Sequence, residues 1–309
     1  MIELSHLGPS HHGVGQLGLA FGGDTLNTAV YLARLGQSRR IAVDYITALG
    51  DDPYSEAMLA FWQQEGIGTD LVARLPGRLP GLYMIRTDDQ GERSFFYWRS
   101  AAAARDMLVG PRGGDILARL KSFDWLYLSG ITLSILGEVT RLAFLRAVEE
   151  AKRAGTKIAF DTNYRPRGWV SPETARFNLM EALRLADLAM PSLDDERLLF
   201  GDADTAACAQ RLHALGVPEV VVKDAKGPCL VSVNGEATSV MPESVTKVID
   251  STAAGDSFNA AYLAERIAGG DPIAAARAGH RLAGQKIQHR GAIIPLEAMP
   301  ADATSAVGE

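Results

Sequence analysis

The chain has 309 residues and a formal net charge of −6, a balance that offers no basic face to nucleic acid. Hydrophobic residues make up 47% and charged residues 22%, the composition of a soluble globular protein long enough for one large α/β domain or two smaller ones. No apolar run could cross a bilayer, the N-terminus lacks a signal pattern, and Cys208 and Cys229 match no disulfide or metal spacing. The expected setting is a reducing cytoplasm, with no membrane partner.

Met1 to Ser5 reads as a short strand, followed by a loop rich in glycine and histidine up to Leu19. Within it Gly13 to Gly18 spells G-x-G-x-x-G, a dinucleotide fingerprint only when it joins a strand to a helix. Pro9-Ser10-His11-His12 precede it and no amphipathic helix follows directly, so a mobile loop is expected. His11 and His12 are adjacent and would face opposite ways on a strand, which argues against a shared metal. Phe21-Gly22-Gly23-Asp24-Thr25-Leu26-Asn27-Thr28 then opens a helix that Gly36 closes. Asp24 and Asn27, three apart, can face one cleft. As a plain cap, Asp24 would need no further role.

Ile41 to Leu49 has a buried-strand pattern, and Pro53 to Gly66 reads as a helix with proline in its first turn. Leu71 to Leu75, Leu82 to Thr87 and Ser94 to Trp98 are expected as short strands of a small sheet, the last two joined by a turn at Asp88 to Glu92. Such a sheet inserted in an α/β chain suits a lid over a cleft. Tyr83, Tyr97 and Arg99 are candidates for its inner face, although tyrosines on strands are more often packing residues. From residue 111 strands and helices alternate. Strands are expected at Trp125–Ser129, Lys157–Asp161, Leu188–Met190, Val220–Lys223, Leu230–Val233 and Thr238–Met241. Helices are expected at Glu138–Ala154, Pro172–Leu185, Thr205–Leu215, Asp256–Ala268 and Pro272–His289, with an acidic turn at Ser192 to Glu196. Repeated βα units imply a parallel sheet whose ligands bind at the carboxyl ends of its strands.

The richest stretch is Ile249-Asp250-Ser251-Thr252-Ala253-Ala254-Gly255-Asp256-Ser257-Phe258. Small residues lead into a helix start whose first amides lack partners and can face an anion, with the carboxylate of Asp256 just inside. That is equipment for phosphoryl transfer. The plainer alternative is an ordinary helix start capped by Ser251 or Thr252, with Asp256 favouring the dipole.

With both Gly22-Gly23-Asp24…Asn27 and Asp250 to Asp256, the chain resembles the ribokinase-like (PfkB) sugar kinases. Leu79 to Tyr83, Phe96 to Arg99, Asn163 to Pro166 and Arg290 to Pro295 resemble the members that phosphorylate 2-dehydro-3-deoxygluconate. The resemblance implies an α/β fold with a mostly parallel central sheet, helices on both faces and a small β-sheet lid. It places an ATP-binding core at 22–68 and 100–309, a lid at 1–21 and 69–99, and a homo-oligomer formed through that lid. By motif position Asp256 is the expected base, and the amides of Ala253, Ala254 and Gly255 the anion hole. Gly23, Asp24 and Asn27 would hold the sugar. Tyr83, Tyr97, Arg99 and Arg165 would address the acid end, since guanidinium binds carboxylate bidentately; either arginine could instead be a lid or loop salt bridge. Lys223, Gly227 and Ser192 would meet ATP. Asp195 and Glu196 would hold Mg2+, where the family usually shows Asn-x-x-Glu and this chain reads Ser192-Leu193-Asp194-Asp195. Family chains also carry a strand ending in a glycine–acid pair ahead of the segment matching Met1 to Ser5. Its absence here implies either a late start or a sheet one strand short. Kinases of fructose or 2-dehydro-3-deoxygalactonate, and a non-catalytic sugar-acid sensor, stay open as alternatives.

Overall fold

Strands buried on both faces need apolar side chains at nearly every position, and the middle of this chain supplies them. The computed structural model describes residues 1–9, 15–87 and 93–300. Its strands are β1 (Ile2–Pro9), β2 (Gly15–Phe21), β3 (Val43–Asp44), β4 (Thr47–Leu49), β5 (Ile67–Gly68), β6 (Val72–Arg74), β7 (Leu82–Thr87) and β8 (Arg93–Trp98). After these come β9 (Trp125–Ser129), β10 (Lys157–Asp161), β11 (Leu188–Ala189), β12 (Glu219–Val222), β13 (Cys229–Val233) and β14 (Glu236–Val240). The helices are α1 (Asp24–Gly36), α2 (Pro53–Gln64), α3 (Gly110–Arg119), α4 (Gly130–Ile135) and α5 (Glu138–Arg153). They continue with α6 (Pro172–Leu185), α7 (Leu193–Phe200), α8 (Thr205–Ala214), α9 (Ala254–Ile267) and α10 (Pro272–Lys286).

The main sheet runs β14-β13-β12-β11-β10-β9, parallel from β9 to β12 and antiparallel beyond. Successive side chains on a strand point to opposite faces. Ile158, Phe160, Val220 and Val222 therefore pack with α5, α6 and α8, while Ala159, Val221 and Val231 pack with α1, α9 and α10. This is the expected α/β sandwich of layers. Its polar strand ends, Ser129 on β9 and Asp161 on β10, fall at one edge of the sheet beside the start of α1.

A second sheet is ordered β2-β1-β7-β8 and contains the strands expected of the lid. The expected loop before Leu19 is instead part of strand β2, with Leu17, Leu19 and Phe21 set opposite His6, Leu4 and Ile2 of β1. Alternate apolar residues carry that strand, and the interspersed glycines disguise it in the sequence. Four members of the G-x-G-x-x-G run, Gly15 to Gly18, thus lie in an antiparallel pair; His11, His12, Gly13 and Val14 lie outside the described residues, as does the turn at Asp88 to Glu92. The segment at Leu71 to Leu75, expected with the lid, pairs elsewhere. Val72–Arg74 runs parallel to Thr47–Leu49, because Leu71 and Ala73 are buried in the main core and Val72 among the apolar residues of α1 and α2.

The main sheet stops at β9, and β3-β5 and β4-β6 stand apart as two-stranded pairs. Between them lies a cavity of about 480 Å3 lined by Val43, Ile46, Trp125, Leu126, Tyr127 and Leu128.

Candidate active site

Five helices begin with a side chain that caps them: Asp52, Ser129, Ser171, Asp204 and Asp271 each accept first-turn amides. The helix α9 does not. Its N-cap is Ala253, with φ 59 and no side-chain cap, so neither Ser251 nor Thr252 plays the plain capping role. A left-handed backbone costs an alanine about 1–2 kcal/mol, and such strain gathers at functional sites. Of the expected anion-hole amides, that of Ala254 turns back to the Ser251 carbonyl at 3.2 Å. Gly255 faces open space, where an added Cβ would first meet the Lys223 ammonium at 3.7 Å.

Asp256 follows in the first turn of α9. The buried Asn27 amide donates to its Oδ2 at 2.8 Å, and Thr28 Oγ donates to its carbonyl at 3.3 Å. The Asn27 orientation is set by Gly23, whose N–H donates to Asn27 Oδ1 at 3.3 Å and so turns the amide nitrogen towards Asp256. Gly23 has φ 148, a conformation that favours glycine. Burial, followed by the charge of Asp24, pushes the Asp256 carboxyl up to about 7, against the opposing effect of the Asn27 bond. A base poised near 7 suits proton abstraction at neutral pH.

Asp24 accepts from Ser129 at the end of β9 and from Asn163 Nδ2 at 3.4 Å. Burial raises its pKa while the Ser129 bond lowers it. Beside it, Lys223 at the end of β12 donates to Asp161 Oδ2 at 3.0 Å and to Asn259 Oδ1 at 2.8 Å. Asn259 in turn donates to the same Asp161 oxygen at 2.7 Å and to the Tyr127 hydroxyl at 2.9 Å. The result is a continuous polar floor joining α1, β9, β10, β12 and α9.

Gly23, Asp24 and Arg99 line one cavity of about 110 Å3 between lid and core. Arg99 stacks on the Tyr97 ring at 4.6 Å. Tyr83 is buried and its hydroxyl donates to Glu3 on the neighbouring strand. A Cβ on Gly22 would stand 2.5 Å from that hydroxyl, so this glycine lets the lid seat against the helix α1. Arg165 does not share the Arg99 cavity; it holds Asp195 at 2.9 and 3.0 Å, although its charge is felt at Asp24.

The two acids of the expected metal pair part company. The acidic turn is the start of α7, and Asp195 looks towards Arg165 and Lys223. Glu196 is buried, accepts from Thr162 and pairs with Arg211 at 2.5 Å. Burial raises its pKa to about 7 and Arg211 opposes that shift. Arg211 also pairs with Asp202 at 2.7 Å, so the nearby group of Glu196, Asp202 and Cys208 is already filled by a guanidinium. Ser192 sits next to Lys223, which it bridges between neighbouring strand ends. Gly227 lies in the turn after β12, its N–H bound to the Asp224 carbonyl.

Sequence reasoning missed Asp161, Asn259, Ser129 and Tyr127 as members of this floor. Asn259 had a signal: it follows Asp256 by three residues on one helix face. Ser129 and Asp161 had one as well, since both end parallel strands.

The chain matches known proteins in sequence and in fold. Residues 1–299 match the model of the pfkB family carbohydrate kinases. A 2-dehydro-3-deoxygluconokinase of Dickeya dadantii (strain 3937) is 48% identical over 304 residues, covering 97% of this chain and 96% of its own. Among solved structures, a 2-dehydro-3-deoxygluconokinase from Thermotoga maritima superposes with a TM-score of 0.82 at 21% identity, over 96% of this chain and 95% of that one. A putative ribokinase II from E. coli, in complex with ATP and Mg2+, does so with a TM-score of 0.80 at 22% identity, over 97% and 93%. With a family match along nearly its whole length and a relative 48% identical over 97% of the chain, this chain belongs to the pfkB family of carbohydrate kinases.

Proposed function

We propose that this chain transfers the γ-phosphoryl group of ATP to 2-dehydro-3-deoxy-D-gluconate, giving the 6-phospho product and ADP. The observation that carries the chemistry is the uncapped start of α9 facing Lys223, with Asp256 held by Asn27 in its first turn. The sugar hydroxyl loses its proton to Asp256 as its oxygen bonds to phosphorus, and the bond to the β-phosphate oxygen breaks. Charge developing on the transferred group is met by the amides of Ala253 and Gly255, by Ala254 once its amide turns from Ser251, and by Lys223. Ser192 and Gly227 border the path of the triphosphate and base. The oxygen donor Asp195, on the first turn of α7 near Lys223, suits a hard cation held through water; Mg2+ bound there would supply charge neutralisation on the phosphates. Glu196 supports α7 from below. A cytoplasmic location fits the need for ATP.

The acid end of the substrate is assigned to Arg99 beside Tyr97 and Tyr83 on the lid sheet, with Arg165 acting from outside that cavity, where its charge is felt at Asp24. A coupled ADP assay with 2-dehydro-3-deoxygluconate, its galacto epimer, fructose and ribose tests the substrate, and a preference for fructose or ribose would reject the acid. A charge-assisted hydrogen bond contributes about 1.5–3 kcal/mol. Arg99→Ala and Arg165→Ala are therefore expected to lower kcat/KM for the acid sugar about ten- to a hundredfold, and for fructose much less. Equal losses for both sugars would show these arginines to be structural or to serve the phosphates.

Oligomerisation through the lid is part of the same proposal. Leu17, Leu19, Phe96 and Trp98 are exposed, and the strand registers place them on the outer face of the lid sheet, opposite Tyr83 and Tyr97. An apolar sheet face of this kind marks a contact surface. Phe96→Asp with Trp98→Asp should convert the assembly to a monomer in sedimentation velocity while the chain stays folded. An unchanged sedimentation coefficient would rule out the lid as the interface.

A further inference from the structure

The turn that forms the anion hole is stitched to the end of α10 by a second, fully buried polar group. Lys286 is 0% exposed. Its ammonium donates to the Asp250 carbonyl at 2.7 Å and to the His289 carbonyl at 3.3 Å, and lies 3.7 Å from Asp250 Oδ1. The Asp250 carboxylate, itself buried, accepts from the amides of Thr252 at 2.8 Å and Gly291 at 2.7 Å. The Ile287 carbonyl accepts from Ile249 and Asp250 at 2.8 and 3.0 Å. Carbonyl oxygens and one carboxylate thus converge on a single cation three residues before the strained Ala253.

We propose that Lys286 is a positioning residue for catalysis: a tethered cation that locks the 250–255 turn in the shape that presents its amides to the transferring phosphoryl group. A buried carboxylate needs a partner, and buried carbonyls need donors. Without the ammonium, Asp250 would turn or draw in water, and Ala253 would relax from its left-handed conformation. The lock acts on the anion hole and leaves the sugar cavity between lid and core untouched. It should therefore affect kcat far more than the sugar KM. The inference rests on the kinase reading, and deepens it.

The experiment compares the native protein with Lys286→Met and Lys286→Gln in the coupled ADP assay, alone and with added potassium, ammonium or methylammonium ions. The expected result is a fall in kcat of about ten- to a hundredfold in both variants, with little change in sugar KM. The cations should restore part of the loss in Lys286→Met by entering the emptied space, and should leave the native rate unchanged. Native-like kcat in both variants would overturn the proposal. So would a loss that no cation restores and that follows a fall in melting temperature, since that describes a structural lysine only. Native turnover reports on the kinase reading, and the variant-to-native ratio on Lys286. If the native protein turns over none of the sugars, thermal stabilisation by ATP is the readout. It should shrink in Lys286→Met and recover with the cations, and an undiminished shift would reject the lock.

Discussion

Replacing Asp256 by asparagine is expected to lower kcat by about 10²–10⁴-fold, the loss that follows removal of a positioned base. The change is nearly isosteric, and an amide oxygen can still accept from Asn27, so ATP affinity should stay close to native and the melting temperature should not fall. Near-native turnover would remove Asp256 from the role. The same residue sets a pH dependence. Its carboxyl is pushed up to about 7, chiefly by burial, so native kcat/KM should rise with pH up to about 7 and level off above it. Asn27→Ala removes the bond that favours the ionised form and should move this limb to higher pH. Stability runs the other way. The folded state keeps a proton that the unfolded chain gives up near 3.8, so raising the pH from there through about 7 should cost stability. Asp256→Asn should flatten that fall, which denaturant titrations at several pH values would measure.

The second large effect is expected from Gly255→Val. An added Cβ meets nothing nearer than Lys223 Nζ at 3.7 Å, so the chain has room to fold around it. The branched side chain would stand between the first-turn amides of α9 and Lys223, in the space required by the transferring group. Loss of an anion-hole contact costs about 10²–10³ in kcat, and this substitution should reach that range. Sugar affinity measured by calorimetry should hold, because Gly23, Asp24 and Arg99 line a separate wall. Weakened sugar binding with unchanged turnover would contradict this assignment.

Much of the site was legible because its parts are local. A helix start announces itself through small residues and an acid within one turn, which is why Asp256, Gly255, Asp24 and Asn27 stand out in the sequence. The polar floor beneath them was not legible as a unit, although Lys223 was expected to meet ATP. Asp161, Lys223 and Asn259 are separated by 62 and 36 residues along the chain, and only the stacking of β10, β12 and α9 brings them to one point. Neighbours on a helix can also mislead: Asp195 and Glu196 looked equivalent as metal ligands, yet the helix turns one to Arg165 and the other into the core against Arg211. Arg99 and Arg165, expected to converge, are divided between the lid cavity and the start of α7.

By itself the sequence determined the α/β layering, since apolar runs at β9, β10 and β12 can be stable only when covered on both faces. It also marked the start of α9 as one whose first amides could face an anion, although a plain cap by Ser251 or Thr252 stayed open until the structure placed Ala253 at the N-cap. Tertiary structure alone decided where β2 and β6 pair, because alternation or burial marks a strand without naming its neighbour. It alone decided the break beside β9, and the burial of Lys286 under the anion-hole turn. Both depend on which surfaces meet across more than thirty residues of chain, and hydrophobic periodicity carries no information about that.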